Sequence, residues 1–179
     1  VSVRLSGPRV TLRPFRDGEF DVLWSETSRD RGAHETPWPG SAREHVREKV
    51  AGSGRWQARS SLVLAIEAEG RLIGDVQART SADVFPPGLF ELGIELFAAA
   101  RGAGYGTEVL GTITRYLFDE EGARRVQLGT AVDNLAMRRA AEKAGFAFEG
   151  VMRGFWPEPD GTSTDHALYG RTRGDHEER

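Results

Sequence analysis

The chain has 179 residues, 24 basic against 27 acidic side chains, a formal charge of −3 and no cysteine. That length accommodates one domain burying about 70% of the surface an unfolded chain exposes, and the lack of cysteine excludes disulfide frameworks, zinc ribbons and thiol nucleophiles. No apolar run reaches the roughly 20 residues of a bilayer span, residues 1–7 hold no signal-peptide core, and balanced charge does not suit a nucleic-acid binder, so a cytoplasmic protein with no membrane or direct nucleic-acid partner is expected.

In chain order, Arg9 to Phe15 is β-rich and short, with Pro14 near its end. From Asp17 the apolar residues Phe20, Leu23 and Trp24 fall at i, i+3, i+4, which predicts an amphipathic helix. Ser28 to Gly40 is polar and broken by proline, a loop long enough to face a substrate. Ser41 with Glu44 three residues on is a capping-box pattern that starts a second helix, running to about Val50. Ser61 to Ala68 and Arg71 to Thr80 are apolar, β-branched runs about Glu69-Gly70, a hairpin signal. Leu89 to Phe97 alternates, with Phe90, Leu92, Ile94 and Leu96 on one face and Glu91, Gly93 and Glu95 on the other.

The glycine-dense segment Arg101 to Gly106 precedes a helix whose face is Val109, Leu110, Ile113 and Leu117 and which ends near Gly122. Val126 to Val132 is a further strand. Asp133 and Asn134 can cap a helix with face Met137, Ala140, Ala141 and Ala144, stopped by Gly145. Phe146 to Trp156 and Thr164 to Thr172, joined across Pro159-Asp160-Gly161, form a last hairpin before a charged, frayed end. A single domain over residues 1–179 is expected, its core at about 9–171.

The segment Arg101-Gly102-Ala103-Gly104-Tyr105-Gly106-Thr107 stands between a strand and a helix. Glycines at alternate positions allow a tight turn whose N–H groups converge at the positive end of the helix dipole, a place that binds phosphate. Thr107 occupies the third-glycine position of a dinucleotide fingerprint, and the Gly-Lys-Ser/Thr ending of a nucleotide triphosphate loop is missing. The phosphates belong to another cofactor. The basic pairs Arg124-Arg125 and Arg138-Arg139 are suited to single phosphates, while the excess of arginine, 22 residues against Lys49 and Lys143, reflects codon composition.

With Arg101, Gly104 and Gly106 the loop resembles the Arg/Gln-x-x-Gly-x-Gly/Ala signature of the GNAT superfamily of acyl-CoA-dependent N-acyltransferases. Glu91 to Leu96 looks like that family's fourth strand, and Asp133-Asn134 through Glu142-Lys143-Ala144-Gly145-Phe146 like its fifth-strand exit and fourth helix. The opening Arg9 to Pro14 and closing Asp165-His166-Ala167-Leu168-Tyr169 are similar to the branch of ribosomal-protein N-terminal acetyltransferases. The resemblance implies an α/β (α+β) fold, a mixed, mostly antiparallel sheet splayed between the family's fourth and fifth strands and flanked by helices.

It also implies function. Acetyl-CoA would place its pyrophosphate on the backbone N–H groups of Arg101, Gly102, Ala103, Gly104, Tyr105, Gly106 and Thr107. Its pantetheine arm would pair with Leu96, Phe97 and Ala98, and the N–H of Phe97 or a neighbour would polarise the thioester carbonyl. Asn134 would lie near the pantetheine or the departing thiol, and Arg139 near the cofactor. The acceptor would be an amine, either a small molecule or a protein N-terminus. A lysine-like amine must lose a proton from a group of pKa about 10.4, whereas an α-amine titrates at about 7.7–8.0. Glu91 is the first candidate base and Glu95 the second. His34 and Trp38, in the loop before the second helix, are candidates for substrate selection.

The family's tyrosine acid is replaced by Ala141, the branch's serine by Met137 and the strand-exit proline by Ala98. Tyr105 and Tyr169 are the remaining phenols considered as acids, and a thiolate with an ordinary pKa of about 8.5 can leave unassisted. The four histidines lack metal-ligand spacing, so no metal is expected. An antibiotic-modifying acetyltransferase and a non-catalytic CoA-binding module are the alternative functions, and a homodimer is left open.

Overall fold

The computed structural model describes residues 2–31, 42–57, 61–80, 85–158 and 160–177. Strands β1 (Leu5–Ser6) and β2 (Val10–Arg13) open the chain, and helices α1 (Glu19–Arg31) and α2 (Ala42–Ala51) follow. Strands β3 (Ser61–Ala68), β4 (Arg71–Arg79) and β5 (Leu89–Leu96) lead to helix α3 (Tyr105–Asp119), strand β6 (Arg125–Ala131) and helix α4 (Leu135–Lys143). Strands β7 (Ala147–Pro157) and β8 (Ser163–Thr172) precede the short helix α5 (Arg173–Glu177).

One eight-stranded sheet results, in the order β1-β2-β3-β4-β5-β6-β8-β7. Every pair is antiparallel except β5–β6, which is parallel. This is the mixed, mostly antiparallel architecture expected. The β3–β4 hairpin turns through Glu69 and Gly70, both at positive φ (51° and 74°), as a two-residue turn matched to strand twist requires.

Alternation along the strands assigns two faces. On one, Leu12, Leu64, Ile66, Val76, Phe90, Leu92, Val126 and Leu128 meet Val109, Leu110, Ile113 and Leu117 of α3 and Ala141 of α4 in a single core. Burying each large apolar side chain there contributes about 1.5–3 kcal/mol. The other face, over β2 to β4, is covered by α1 and α2 and contains charge. The Arg13 guanidinium, 1% exposed, is held by Glu19 at 2.7 Å and Glu67 at 2.8 Å. The fully buried carboxylate of Asp75 meets the Lys49 ammonium of α2 at 3.0 Å and the Gln77 amide at 3.2 Å. α1 and α2 hold one another through Arg43, which lies over the Phe20 and Trp24 rings, and Arg47, which lies over Phe20.

Two expectations are corrected. The loop predicted from Ser28 begins later, because α1 continues to Arg31, carried through an i,i+3 ion pair of Glu26 with Arg29. Within the charged end, residues 173–177 are ordered as α5, which is docked, with Arg173 donating to the Phe118 carbonyl at 2.5 Å and the Ala123 carbonyl at 3.1 Å. His176 of the same helix stacks on the Phe118 ring.

Candidate active site

The parallel pairing of β5 with β6 stops at Leu92 and Leu128, although β5 runs on to Leu96 and β6 to Ala131. Beyond that point the strands part and leave a cleft. β4, by contrast, follows β5 as far as Gly74 opposite Leu96. A β-carbon on Gly74 would stand 2.0 Å from the Glu95 carbonyl oxygen, so only glycine lets β4 stay this close while β5 leaves β6.

The N–H of Phe97 donates to the Ile73 carbonyl at 2.9 Å. It therefore faces β4 and cannot polarise a carbonyl in the cleft, which corrects the expectation for Phe97. Backbone N–H groups alternate in direction along a strand, so that of Leu96 points to the opposite edge, into the cleft. The Leu96 carbonyl on that edge receives the Arg101 guanidinium at 3.0 Å. Ala98 is also corrected as an extended pairing position, since Ala98–Ala100 is a single 3-10 turn.

At the mouth of the cleft, residues Arg101 to Gly104 are exposed. Gly104 sits at φ 84° as the N-cap of α3, and no side chain caps that helix. Its first N–H groups lie at the positive end of a 15-residue helix dipole. Gly106 lets this end approach its neighbours, with Leu96 and Ala140 atoms 3.8 and 3.7 Å from its would-be β-carbon.

Arg9 was not anticipated at this site. Its guanidinium donates to the Ala103 carbonyl at 3.0 Å, lies over the Tyr105 ring and pairs with Glu108 at 3.0 Å. Burial pushes the Glu108 carboxyl up, but the N–H groups of Arg9 and Val10 and the Arg9 charge together outweigh it and hold it below the ordinary value. The only trace of Arg9 in the sequence was its position at the head of a strand.

On the far wall, exposed Asn134 is the N-cap of α4, its Oδ1 accepting the Met137 N–H at 3.1 Å. Arg139 is exposed on α4. Ala141 is fully buried in the core, so the residue at the family's tyrosine position is packing here. Tyr169 is also fully buried, its hydroxyl between Arg138 at 3.2 Å and Glu142 at 3.0 Å, and is no acid for the cleft.

The glutamates separate. Glu91 lies where β5 and β6 are still paired, bound to Arg79 at 3.2 Å and contacted by the Gln127 amide at 3.4 Å. Glu95 lies beside the cleft, opposite Asp75. The expected phosphate roles of the arginine pairs give way for three of the four residues. Arg124 donates to the Pro87 carbonyl, Arg125 grips Glu149 with two bonds, and Arg138 donates to the Val132 carbonyl. His34 and Trp38 lie outside the described residues. Among the described residues no cluster of three or more His, Asp or Glu could hold a metal ion, and no helix is long and apolar enough to cross a membrane.

A family model described as an acetyltransferase (GNAT) domain matches residues 9–147. The chain belongs to the GNAT acetyltransferase family. Among solved structures, this GNAT chain is similar to RimL, a ribosomal-protein α-N-acetyltransferase in complex with coenzyme A, at 18% identity over 95% of this chain and 98% of that one, with a TM-score of 0.77. It is similar to Mycobacterium smegmatis RimJ in complex with a CoA disulfide, at 20% identity over 96% and 86%, TM-score 0.74. A microcin C7 self-immunity acetyltransferase in complex with acetyl-CoA and AMP aligns at 18% identity over 92% and 93%, TM-score 0.74. At these identities the likenesses establish the shared GNAT fold.

Proposed function

We propose that this chain is a single catalytic domain, centred on residues 9–171, that transfers the acetyl group of acetyl-CoA to a primary amine. The reading is carried by one observation: an uncapped helix N-terminus on a glycine turn opens directly onto a cleft between two parted strands. Phosphate suits the first element and an extended pantetheine arm the second.

The diphosphate rests on N–H groups of Arg101 to Thr107, with the Arg9 guanidinium at hand. The pantetheine amides pair with the cleft edge of β5 from Ile94 to Leu96, and the Leu96 N–H donates to the thioester carbonyl oxygen as it gains charge, a contribution of about 2.7–4 kcal/mol when such a donor is pre-positioned. Asn134 is set to stabilise the departing sulfur, and Arg139 to approach the cofactor from α4. The Glu95 carboxylate beside the cleft attracts the acceptor ammonium, and Glu91 lies further back, where β5 and β6 are still paired. The acceptor is a protein N-terminal α-amine or a small-molecule amine; the RimL structure, an α-N-protein acetyltransferase, is a precedent for the first kind.

Calorimetry with acetyl-CoA, followed by thiol release in the presence of peptides with free N-termini and a panel of small amines, tests the reading. Binding with turnover of at least one acceptor supports it. Binding with no thiol release above background for any acceptor makes the chain a CoA-binding module instead.

A further inference from the structure

His166 is absorbed by none of the roles above. It lies on β8 opposite Ala131 of β6 and Met152 of β7. Extending the parallel register of Leu92 and Leu128 by three residues brings Glu95 level with Ala131. One row across the sheet therefore reads Asp75, Glu95, the cleft, Ala131, His166, Met152, all on the face that α1 and α2 cover further along. In the adjoining row Gly93 and Gly129 stand side by side where the strands begin to part. The cleft thus has a floor of glycine and alanine, with a carboxylate on one bank and an imidazole on the other.

The imidazole is fixed in place. It stacks parallel to the Trp156 indole, at 5.9 Å and 8°, and against Phe155 at 5.1 Å. Its Nδ1 is buried without a hydrogen-bond partner and lies 3.7 Å from where a Gly129 β-carbon would be, so it is aimed along the floor toward the cleft. The Met152 methyl lies over the same spot, 3.0 Å from that position. A methionine side chain is flexible enough to move aside for a ligand.

Resting on the acetyl-transfer reading, we propose that His166 is the proton acceptor for the amine substrate, with Nδ1 meeting the ammonium over Gly129 while Glu95 holds its charge from the opposite bank. Nδ1 takes one proton from the ammonium. The nitrogen lone pair then forms the C–N bond to the acetyl carbon, and the C–S bond breaks with its electron pair on sulfur. A second N–H proton leaves with the thiol, and the imidazolium returns its proton to solvent. Phe155 and Trp156 flank the site, which favours an amine carrying a flat apolar group next to the ammonium.

The state of the ring agrees with this role. Burial pushes the His166 imidazole below its ordinary value and outweighs Glu158, at the end of β7, and Asp133, after β6, which pull the other way. Asp165, its neighbour on the opposite face of β8, is bound to the Gly154 N–H. A neutral imidazole is thus available at neutral pH.

Phenethylamine is a suitable probe, with acetyl-CoA saturating. His166→Gln should lower kcat by 10²- to 10⁴-fold and abolish the acid limb of the wild-type pH profile, with acetyl-CoA affinity by calorimetry unchanged within threefold. Gly129→Val, whose new β-carbon fills the floor, should raise the KM for phenethylamine at least tenfold and also leave acetyl-CoA affinity intact. A His166→Gln enzyme with wild-type rate and the same acid limb overturns the proposal. If phenethylamine is not turned over, titrating it into CoA-loaded protein while following the His166 ring resonances decides: movement supports the assignment, and unmoved resonances overturn it. Absence of acetyl-CoA binding by the wild type would instead remove the acetyl-transfer reading, and the same titration on the unliganded protein still tests whether His166 meets the amine.

Discussion

Glu108 and Arg9, 99 positions apart, are joined through both backbone and side chain: one carboxylate oxygen accepts the Arg9 N–H at 2.5 Å and the other the Arg9 Nε at 3.0 Å. The same carboxylate accepts the Val10 N–H at 2.9 Å, so the first turn of α3 ties down the start of β2. Glu108→Ala strands those donors at a cost of about 1–3 kcal/mol. It also loosens Arg9, leaving only the Ala103 carbonyl and the Tyr105 ring to hold its guanidinium at the glycine turn. Urea unfolding should show the loss of stability and calorimetry a weaker acetyl-CoA interaction; unchanged values for both would mean that this tie does not position the loop.

Gly104 sits at φ 84°, with an Arg9 guanidinium nitrogen 3.3 Å from its would-be β-carbon. A β-branched residue there pays about 1–2 kcal/mol for the left-handed conformation and crowds both Arg9 and the N–H groups proposed to hold the diphosphate. Gly104→Val is expected to fold, with circular dichroism like the wild type, and to bind acetyl-CoA at least tenfold more weakly. Retained affinity would place the diphosphate elsewhere.

Acid sensitivity should arise at Arg13. Burial raises the Glu19 carboxyl, but the hydrogen bonds from Arg13 and the Arg16 N–H, together with their charges, outweigh it and leave Glu19 below its ordinary 4.5. A carboxyl lowered in the folded state stabilises the fold in full above that ordinary value and loses its contribution as pH falls through the lower folded one. Stability measured by urea midpoint should therefore decline below pH 4.5. Arg13→Met, which leaves Glu19 and Glu67 without the buried guanidinium between them and only the exposed Arg16 on Glu67, should cost about 3–5 kcal/mol at pH 7 and less at pH 4, where the carboxylates accept protons.

The alkaline limit lies at Tyr116. Its hydroxyl donates to Glu121, which also accepts the Trp56 indole N–H at 2.7 Å. Burial first, and then the Glu121 bond, push this phenol up from 10.0 to about 12. Because the unfolded chain loses that proton more readily, the contribution is complete below pH 10 and lost as pH rises toward 12. Ultraviolet titration should find one phenol ionising late, and Tyr116→Phe should flatten the fall in stability over that interval.

Removing residues 173–179 should expose Phe118 and leave the carbonyls of Phe118 and Ala123 without Arg173. A lower thermal midpoint, with acetyl-CoA affinity unchanged, is the expected result, since α5 lies at the opposite end of α3 from the glycine turn. Equal midpoints would show the docked helix to be energetically idle.

Much of this molecule was readable from residue order, and the failures have a common cause. Alternation located β3, β4 and β5, the apolar spacing Val109, Leu110, Ile113, Leu117 located α3, and Asn134 proved to be the cap its type suggests. The glycine turn stands where its spacing placed it. What misled was direction. Whether the Phe97 or the Leu96 N–H faces the cleft depends on a one-residue parity set by the contact of Phe97 with Ile73, which composition does not reveal. Arg124, Arg125 and Arg138 look like phosphate ligands until the carbonyls and carboxylates that occupy them come from elsewhere in the chain. Arg9 is held at the site by Glu108, the Ala103 carbonyl and the Tyr105 ring, all far from it in sequence. The four-residue gap between Glu91 and Glu95 separates a residue in the closed sheet from one at its opening, a distinction created by the parting of β5 from β6.

Lys49 is one of only two lysines in the sequence, and its ammonium is clamped by buried Asp75. Engaged in that ion pair against the sheet, its amine is not presented as a nucleophile to an activated acyl donor. Lys143 then remains as the one exposed lysine side chain, which leaves this protein little of itself to modify by accident. An enzyme so furnished is spared the slow self-inactivation that a lysine-rich surface would invite.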